Sequence, residues 1–376
     1  MESFRVVHTP AEDWAHAAKI CADGICRDKA GYNLGFLYVT DLLADDLSSI
    51  LTYLRQKTGI AHWVGSIGIG ICANDGKGIL GDYYESSAVA VMAAQLGDEQ
   101  FQTLSTIKEE FQQLPGKTLD WMKSTGAPFG VVHGDPSNGN ISGLVQELAD
   151  FNSSFLVGGL TSSRGNAYQI AGRVTGGGLS GVMFSPDVEV MTAMSQGCLP
   201  ISETHVISDC LDNILIGLDG ERALDVFRED IGTDLSEDLS QVAGLIHAGI
   251  PIEGSDTGDF MVRGLLGIDT DRGWLAIGEQ VNPGDRLLFV RRDADSAKAD
   301  LQKALEHLKK RLDRPPRGGL YFSCLGRGPA LFEEEALEMT LIRDVLGDIP
   351  MIGFYGNGEI SNDRLYGYTG VLVLFR

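Results

Sequence analysis

Three stretches of the chain share one pattern of apolar and polar positions. Each has a short apolar run, a turn, an amphipathic segment and a second apolar run, and they start at Leu34, Phe129 and Leu320. In the third stretch, apolar side chains recur at helical spacing over residues 331–346, and the continuous apolar run at 351–355 is typical of a buried strand. The second strand of every stretch leads directly into glycine, at Val64-Gly65, Val157-Gly158 and Ile352-Gly353. The pattern therefore predicts three copies of one β-α-β-β unit.

Repeated units of this kind predict an α/β fold with mixed β-sheets and outer helices. Because a β-α-β-β unit places its helix on one face only, we expect two sheets packed face to face in an αββα sandwich. Turn residues without strong periodicity between residues 191 and 200 suggest a domain boundary. We predict an N-terminal domain over residues 1–195 and a C-terminal domain over residues 196–376, packed together as two halves.

Two further segments carry informative patterns outside the copies. The apolar residues from Phe101 to Phe111 recur three or four positions apart, so we predict that residues 98–121 are mostly helical. The segment 205–220 alternates around a central Asp-Asn pair, which predicts a β-hairpin.

Charge and composition exclude several classes of partner. The 376 residues carry a formal net charge of −22, and the acidic residues are dispersed along the chain. Binding to nucleic acid draws much of its affinity from neutralising phosphates, so we predict no nucleic-acid partner. No apolar run approaches the roughly 18 residues of a membrane helix, and the N-terminus lacks the basic and apolar segments of a secretory signal. We therefore expect a cytoplasmic protein without membrane association.

The cysteines do not indicate a metal site. None of the six forms a Cys-x-x-Cys pair, so we predict neither a metal nor a cofactor. Cys324 does follow an apolar strand and precede a glycine turn, a place where α/β enzymes expose a nucleophile. Arg327 could lower the pKa of its thiol, but a nucleophile elbow needs a small residue where this chain has Phe322. A cysteine-dependent hydrolase or transferase therefore stays an alternative beside a buried structural cysteine, and we assign no catalytic residue.

The loop His133-Gly-Asp-Pro-Ser-Asn-Gly-Asn140 is similar to the catalytic loop of kinases, in which an Asp acts as base and an Asn holds a metal. No glycine-rich phosphate loop with a following strand lysine precedes it, and a helix follows at once. A turn that leads into a helix cap explains the same residues.

The glycine-rich strand ends suggest where a small ligand could bind. Loops of matching copies can converge on one face, where backbone N–H groups and a few polar side chains hold a small polar molecule. We predict a ligand site formed by Ser323, Cys324, Arg327, Gly328, Asn357 and Glu359, with Thr161, Ser162 and Ser163 facing them.

Two charged members of this site suggest the kind of ligand. Arg327 and Glu359 would suit the carboxylate and ammonium groups of a zwitterion such as an amino acid, and an ion pair between the two explains them equally. We expect Arg327→Ala to abolish ligand binding and to leave the fold intact.

Several motifs resemble those of a known family. Tyr321-Phe-Ser-Cys-Leu-Gly-Arg-Gly328 is followed by Pro350-Met-Ile-Gly-Phe-Tyr-Gly-Asn-Gly-Glu-Ile360 and by Tyr368-Thr-Gly-Val-Leu. Together they resemble the C-terminal signature of FIST-domain proteins. Val157-Gly-Gly-Leu-Thr-Ser-Ser163 and Gly197-Cys-Leu-Pro200 are similar to the N-terminal half of that family and to its junction. The resemblance covers nearly the whole chain.

The resemblance implies a FIST N-terminal domain at 1–195 and a FIST C-terminal domain at 196–376. It further implies a cytosolic sensory module of signal transduction that binds small ligands such as amino acids. Since the chain starts directly with the first unit, it resembles a standalone bacterial-type member whose signal would pass to a separate partner protein. The family has no settled catalytic residues, so none is carried over. A scaffold that binds only proteins stays a third possibility beside the sensor and the cysteine-dependent enzyme.

Overall fold

The predicted α/β class with mixed sheets is confirmed by the computed structural model, which describes residues 3–27, 31–252 and 259–376. The chain divides into two compact units. One comprises residues 1–195 and 301–376, and the other comprises residues 196–300. The third β-α-β-β copy therefore belongs to the same unit as the first two. Within the described residues, no helix has both the length and the apolar character needed to cross a membrane.

The first two copies lie in residues 3–195. Their helices are α1 (Trp14–Ile25), α2 (Leu47–Thr58), α3 (Gly116–Thr125) and α4 (Ile141–Asn152), with short 3-10 turns at Asp41–Asp46 and Phe111–Gln113. Their strands are β1 (Ser3–Pro10), β2 (Leu34–Thr40), β3 (His62–Gly68), β4 (Gly70–Asn74), β5 (Leu80–Tyr84), β6 (Ala88–Gln95), β7 (Phe101–Ile107), β8 (Phe129–Gly134), β9 (Phe155–Leu160), β10 (Gln169–Ala171), β11 (Val174–Thr175), β12 (Leu179–Phe184) and β13 (Val190–Ser195).

The remaining elements follow Ser195. The strands up to residue 300 are β14 (Leu199–Pro200), β15 (His205–Leu211), β16 (Ile214–Leu218), β17 (Glu221–Arg222), β18 (Ile246–Pro251), β19 (Phe260–Asp269), β20 (Trp274–Ile277) and β21 (Arg286–Arg291). The helices are α5 (Ala223–Glu237) and α6 (Ala294–Arg311), with a 3-10 turn at Leu239–Val242. The third copy contains β22 (Gly318–Cys324), α7 (Pro329–Phe332), α8 (Leu337–Leu346), β23 (Met351–Gly356), β24 (Glu359–Asn362), β25 (Arg364–Tyr366) and β26 (Gly370–Phe375).

Three six-stranded sheets of the first unit repeat one strand order. They are β1-β6-β2-β3-β10-β11, β7-β12-β8-β9-β24-β25 and β13-β26-β22-β23-β4-β5. At the centre of each lies a parallel pair joined through a helix, namely β2 and β3, β8 and β9, and β22 and β23. The third strand of each copy, β6, β12 or β26, pairs antiparallel with the first. The predicted repeat of β-α-β-β units is therefore confirmed.

The copies exchange their outer strands in a cycle. The strand that follows the first copy's parallel pair, β4, joins β23 of the third copy. In the same way β24 of the third copy joins β9 of the second, and β10 of the second joins β3 of the first. Because each copy gives strands to another sheet, three sheets enclose the core of this unit, where two sheets face to face were expected.

A glycine in each parallel pair lies against the neighbouring strand. A Cβ atom on Gly65 would lie 1.9 Å from the carbonyl oxygen of Leu37, one on Gly158 would lie 1.8 Å from that of Val132, and one on Gly353 would lie 1.7 Å from that of Tyr321. No side chain fits at such distances. The glycines that suggested the repeat are therefore required by the spacing of the strands.

The core of the first unit contains side chains from all three sheets. Tyr38, His133 and Phe322 hold the same position in the first strand of each copy. Their ring centroids are separated by 5.6, 6.3 and 6.3 Å. Phe354 packs against all three rings. The three copies therefore meet around this aromatic cluster.

Helices cover the outer faces of the three sheets. In α2 the buried residues are Leu47, Ile50, Leu51 and Leu54, which lie on one face of the helix. Gly59 ends this helix in the left-handed conformation, with φ of 73°. Separate apolar clusters hold α1 and α2, α3 and α4, and α6 and α8 against their sheets.

The prediction of a helix over residues 98–121 is wrong for its first part. Phe101–Ile107 is a strand paired with β12, and a helix begins only at Gly116. Phe101 contributes to the central core, whereas Leu104 and Ile107 pack on the helical side. Because both faces of this sheet are buried, apolar residues of the strand do not simply alternate with polar ones. A bulge between Leu104 and Ile107 places these two side chains on the same face, although they are three residues apart.

The second unit contains one antiparallel sheet that closes on itself. Strands β15, β16, β20, β19, β18 and β21 pair in succession, and β21 pairs back to β15. The predicted hairpin at 205–220 is confirmed as β15 and β16. Apolar side chains fill its core, where the rings of Phe227 and Phe289 lie 4.8 Å apart.

Candidate functional site

The predicted site lies where β22 ends and the loops after β9 and β23 converge. The backbone N–H of Asn357 donates to the carbonyl of Leu160 at 3.0 Å, and the Asn357 side chain donates to the carbonyl of Thr161 at 3.3 Å. Leu325 donates to the carbonyl of Gly356 at 2.9 Å. The structure therefore brings together the loops from the second and third copies on which the predicted residues lie.

The hydroxyl groups of Thr161, Ser162 and Ser163 all form hydrogen bonds within the protein. Thr161 Oγ1 lies 2.8 Å from Ser66 Oγ, and Ser162 Oγ accepts from the N–H of Ile69 at 2.9 Å and donates to the carbonyl of Tyr355. Both Thr161 and Ser162 are fully buried. Ser163 is half-buried, and its Oγ accepts from the N–H of Gly165 at 3.0 Å.

Arg327 forms a buried ion pair with Glu338, which the sequence motifs did not indicate. Its Nε lies 2.9 Å and its Nη2 lies 2.8 Å from Glu338 Oε1. Nη1 donates to the carbonyl of Tyr368 at 3.2 Å, and Nη2 donates to Ser195 Oγ at 3.1 Å. A ligand could reach this guanidinium only by displacing these contacts.

The Glu338 carboxylate also accepts hydrogen bonds from two hydroxyl groups of β22. Tyr321 donates its hydroxyl to Oε1 at 2.8 Å, and Ser323 donates its hydroxyl to Oε2 at 2.6 Å. The carboxylate thus links α8 to β22 and to Arg327. The sequence did contain a signal for it, because Glu338 precedes Ile342 by four residues and so shares the apolar face of its helix. A charged residue on such a face implies a buried partner.

Glu359 has a different environment, in which Thr369 donates to one carboxyl oxygen and no N–H or O–H group of the described residues donates to the other. The carboxyl group is fully buried, and Oε2 accepts from the N–H of Thr369 at 3.1 Å and from its hydroxyl at 2.8 Å. Oε1 has no hydrogen-bond partner within the part of the chain that the structure describes. Burial raises the pKa of Glu359 to about 8, although the hydrogen bonds from Thr369, the charge of Arg327 and a weaker hydrogen-bonding interaction with the Cys324 thiol act in the opposite direction.

The Cys324 thiol lies beside this carboxyl and in contact with backbone donors. Burial raises the pKa of the thiol to about 12, and the charge of Glu359 acts in the same direction. The backbone N–H groups of Gly326 and Tyr368 and the charge of Arg327 act against it. We call the N–H groups of Gly326 and Tyr368 around this sulfur the amide cradle. Cys324 as a whole is 9% exposed, so the sulfur is screened from bulk water but close to the surface.

The second copy has a carboxylate where the third copy has this thiol. Asp135 and Cys324 occupy equivalent positions. Each follows the last residue that pairs with the third strand of its copy, and each donates its N–H to the carbonyl of the residue before that third strand, at 2.9 and 3.0 Å. Asp135 Oδ1 accepts from the N–H of Ser137 at 2.9 Å, and Oδ2 accepts from the N–H of Gly177 at 2.6 Å. Ser137 and Gly177 correspond in position to Gly326 and Tyr368.

The residue beside the cradle also differs between these copies. Gln169 pairs with Ser66 in one sheet as Glu359 pairs with Gly159 in another, which makes the two equivalent. Gln169 is buried and donates to the carbonyl of Gly178 at 3.0 Å. The second copy therefore has a carboxylate with a neutral amide, and the third copy has a neutral thiol with a carboxyl group.

The loop at 133–140 forms a turn that leads into α4. His133 is fully buried against Tyr38, and both carboxylate oxygens of Asp135 bind loop atoms. Asn138 accepts from the N–H of Asn140 at 2.9 Å just before α4 begins.

Gly328 precedes the short helix α7, and a Cβ there would lie 2.9 Å from Tyr84 Cε2. Among the described residues, no group of three or more His, Cys, Asp or Glu side chains is arranged to hold a metal ion.

Comparison with known proteins identifies the family. A family model described as the FIST N domain matches residues 33–221, and one described as the FIST C domain matches residues 223–362. FIST domains are generally sensory domains of signal transduction.

Two mycobacterial proteins are similar to this chain. An uncharacterised protein of Mycobacterium tuberculosis is 34% identical over 245 residues, which covers 62% of this chain and 64% of that protein. The match thus spans less than two thirds of the relative's length. An uncharacterised protein of Mycobacterium bovis is 28% identical over 381 residues and covers 96% of both chains. The two domain matches together span most of the sequence, and the chain therefore belongs to the FIST family.

Proposed function

We propose that this chain is a sensory protein that binds a small polar ligand at Glu359 and Cys324. The observation that carries the proposal is the unpartnered Oε1 of Glu359, which is fully buried. A buried carboxyl oxygen without a partner loses the free energy of a hydrogen bond, and a ligand with a donor group would restore it. The convergence of loops from two copies around Glu359 supplies further polar atoms for recognition.

The chemistry of Glu359 favours a ligand with an ammonium group, such as an amino acid. Binding of a cation stabilises the ionised carboxylate and so lowers its pKa. Because the pKa of the free site is about 8, binding below this pH would release a proton. The affinity for a cationic ligand should therefore rise with pH, by up to about tenfold per pH unit below 8.

Arg327 has a supporting role in this proposal. Its contacts with Glu338 and Tyr368 fix the loop that carries Cys324 and Gly326. A ligand carboxylate would then be held by backbone N–H groups, and not by this guanidinium. Burial raises the pKa of the Cys324 thiol to about 12, so the resting group is the neutral thiol, and any reaction of this sulfur as a nucleophile requires a base such as Glu359 to take its proton. In this proposal the signal passes to a separate partner protein in the cytoplasm.

The proposal is tested by calorimetric titration of the protein with alanine, ethanolamine and acetate in reducing buffer. We expect the two amines to bind and acetate alone not to bind, and we expect tighter binding at pH 8 than at pH 6.5. Glu359→Gln should abolish amine binding because it removes the negative charge. Glu334→Gln, at an exposed position, is the matched control. Equal binding by Glu359→Gln and the parent protein would place the site elsewhere.

A further inference from the structure

The internal repeat provides a direct comparison for the environment of Cys324. In the second copy two backbone N–H groups hold the Asp135 carboxylate, and the residue equivalent to Glu359 is the neutral amide Gln169, which donates to the carbonyl of Gly178. The corresponding N–H groups of the third copy point at a neutral sulfur atom. The cradle of the third copy is therefore built from the same donors as one that holds an anion, but the thiol brings no negative charge to it.

The second difference between the copies lies at Glu359, whose buried Oε1 accepts no hydrogen bond from the described N–H and O–H groups. When Glu359 is protonated it is neutral, as Gln169 is in the second copy, and it can donate a hydrogen bond. Its bonded oxygen faces Thr369, which leaves Oε1 as the atom available to a group on Cys324. If the sulfur carried a negatively charged oxygen group, the third copy would have an anion in the cradle and a neutral side chain at Glu359. The second copy has the same arrangement, with the anion at Asp135 and the neutral side chain at Gln169.

We propose that Cys324 is a site of peroxide oxidation whose product is a sulfinate, held by the amide cradle and by the carboxyl proton of Glu359. A sulfinate places two oxygens on the sulfur and carries one negative charge. The N–H groups of Gly326 and Tyr368 and the proton on Glu359 Oε1 supply three donors to those oxygens. The exposure of Cys324 is low, which suits a small oxidant such as hydrogen peroxide and excludes large ones.

The reaction balances with two molecules of peroxide. The reaction starts from the ionised form of Glu359, whose Oε1 takes the thiol proton and becomes the neutral carboxyl group, and the sulfur attacks one peroxide oxygen as the O–O bond breaks. The leaving hydroxide takes the proton of the new sulfenic acid and becomes water. The sulfenate sulfur then attacks a second peroxide, and hydroxide leaves as the second oxygen is bound. That hydroxide takes the proton that the attacked peroxide oxygen gives up, so it too leaves as water, and the thiol proton remains on Glu359. In each step the sulfur loses two electrons and the peroxide gains them.

This inference concerns the same site as the proposed function but does not require the ligand. A sulfinate would occupy Glu359 Oε1 and would exclude an ammonium group from it. Loss of amine binding on oxidation is a second consequence, and it rests on the proposed function.

The test is peptide mass spectrometry of the full chain after exposure to hydrogen peroxide. We expect the peptide that contains Cys324 to gain two oxygen atoms, to resist reduction by dithiothreitol and to stop short of a third oxygen. Cys26 is exposed and serves as the internal control, which should proceed to the sulfonate or to a disulfide. Cys72 is fully buried and should stay unmodified.

Two variants separate the roles of Glu359. Glu359→Gln keeps a donor beside the sulfur, so it should oxidise several-fold more slowly and still stop at the sulfinate. Glu359→Leu removes the donor, so its oxidation should continue to the sulfonate. Both variants are compared with the parent protein at peroxide exposures that oxidise Cys26 to the same extent.

A substitution tests the cradle without peroxide. Cys324→Asp places a carboxylate where the second copy has Asp135, and it should melt within a few degrees of Cys324→Ser at neutral pH. An unmodified Cys324 under conditions that fully oxidise Cys26 would overturn the proposal, and so would a sulfonate as its only product. Neither result bears on amine binding by the reduced protein.

Discussion

The hydroxyl group of Tyr38 lies 3.0 Å from Nε2 of His133, and this hydrogen bond joins the first copy to the second at the centre of the core. Both residues are fully buried among Phe322 and Phe354. Either group without its partner would be a polar atom in an apolar core, which costs about 1–3 kcal/mol. We predict that Tyr38→Phe and His133→Phe each destabilise the protein by about that amount.

The double variant should lose less than the sum of the single losses, because it leaves neither group unpaired. Urea unfolding of the four proteins measures the coupling between the two residues. Strictly additive losses would show that the hydrogen bond adds nothing to stability.

His133 also predicts sensitivity to acid. Burial lowers its pKa to about 3, from an ordinary value of 6.5. Between these values the unfolded state binds a proton that the folded state does not, so stability is lost as the pH falls below 6.5, by up to ~1.4 kcal/mol per pH unit. The double variant Tyr38→Phe/His133→Phe should show a shallower loss between pH 6.5 and 4.5. An unchanged slope would contradict burial of a neutral imidazole.

Glu359 predicts a pH dependence of the opposite sign. Its pKa is raised to about 8 from an ordinary value of 4.5, so the folded state binds a proton that the unfolded state has lost. Stability from this group is therefore greatest at low pH and declines as the pH rises from about 4.5 to about 8, by up to ~1.4 kcal/mol per pH unit. Glu359→Gln should gain stability relative to the parent protein across this range. Thermal melts of both proteins at several pH values measure the difference, and a constant difference would contradict the prediction.

Gly353 cannot accept a side chain. A Cβ atom there would lie 1.7 Å from the carbonyl oxygen of Tyr321, so β22 and β23 would have to separate. We predict that Gly353→Ala destabilises the protein by about 3 kcal/mol or more. Gly139→Ala is the control, since a Cβ at that position meets open space. Equal melting temperatures for the two variants would contradict the close contact of the strands.

Burial of the ion pair between Arg327 and Glu338 changes the result expected for Arg327→Ala. Removing the guanidinium leaves a buried carboxylate unpaired, which costs about 3–5 kcal/mol. We therefore predict a large loss of stability, where the sequence motifs alone predicted an intact fold. Arg343→Ala breaks an exposed pair with Asp344 and should cost less than about 1 kcal/mol. Chemical denaturation of both variants checks the contrast, and a stable Arg327→Ala would restore this residue as a candidate for ligand binding.

The sequence correctly predicted those elements that depend only on the local pattern of apolar residues and glycines. The three copies, their helices and the β15–β16 hairpin follow from periodicity and glycine position, and the structure confirms them. The strand at Phe101–Ile107 was missed because its pairing with β12 and its bulge are set by a distant segment. Apolar spacing alone cannot distinguish a helix from a strand that is buried on both faces.

The sequence indicated which strand ends carry the candidate residues, but it did not indicate how the charged groups among them pair. Cys324 and Glu359 lie at the strand ends that the glycines indicated, and Arg327 lies next to them. The partner of Arg327, however, is Glu338 on a helix, and no motif links those two positions. The match between Cys324 and Asp135 became visible only through strand register, because the copies share geometry and not residue identity.

The cyclic exchange of strands has a consequence for synthesis of the chain. β4 and β5 leave the ribosome long before β23, so β4 finds its neighbour only when β23 has been made. Contacts between such distant segments slow folding, because a long loop must close before they form. Until then the edge of β4 is available to other chains. Translation of β23 is therefore needed before β4 gains its neighbour and is protected from aggregation.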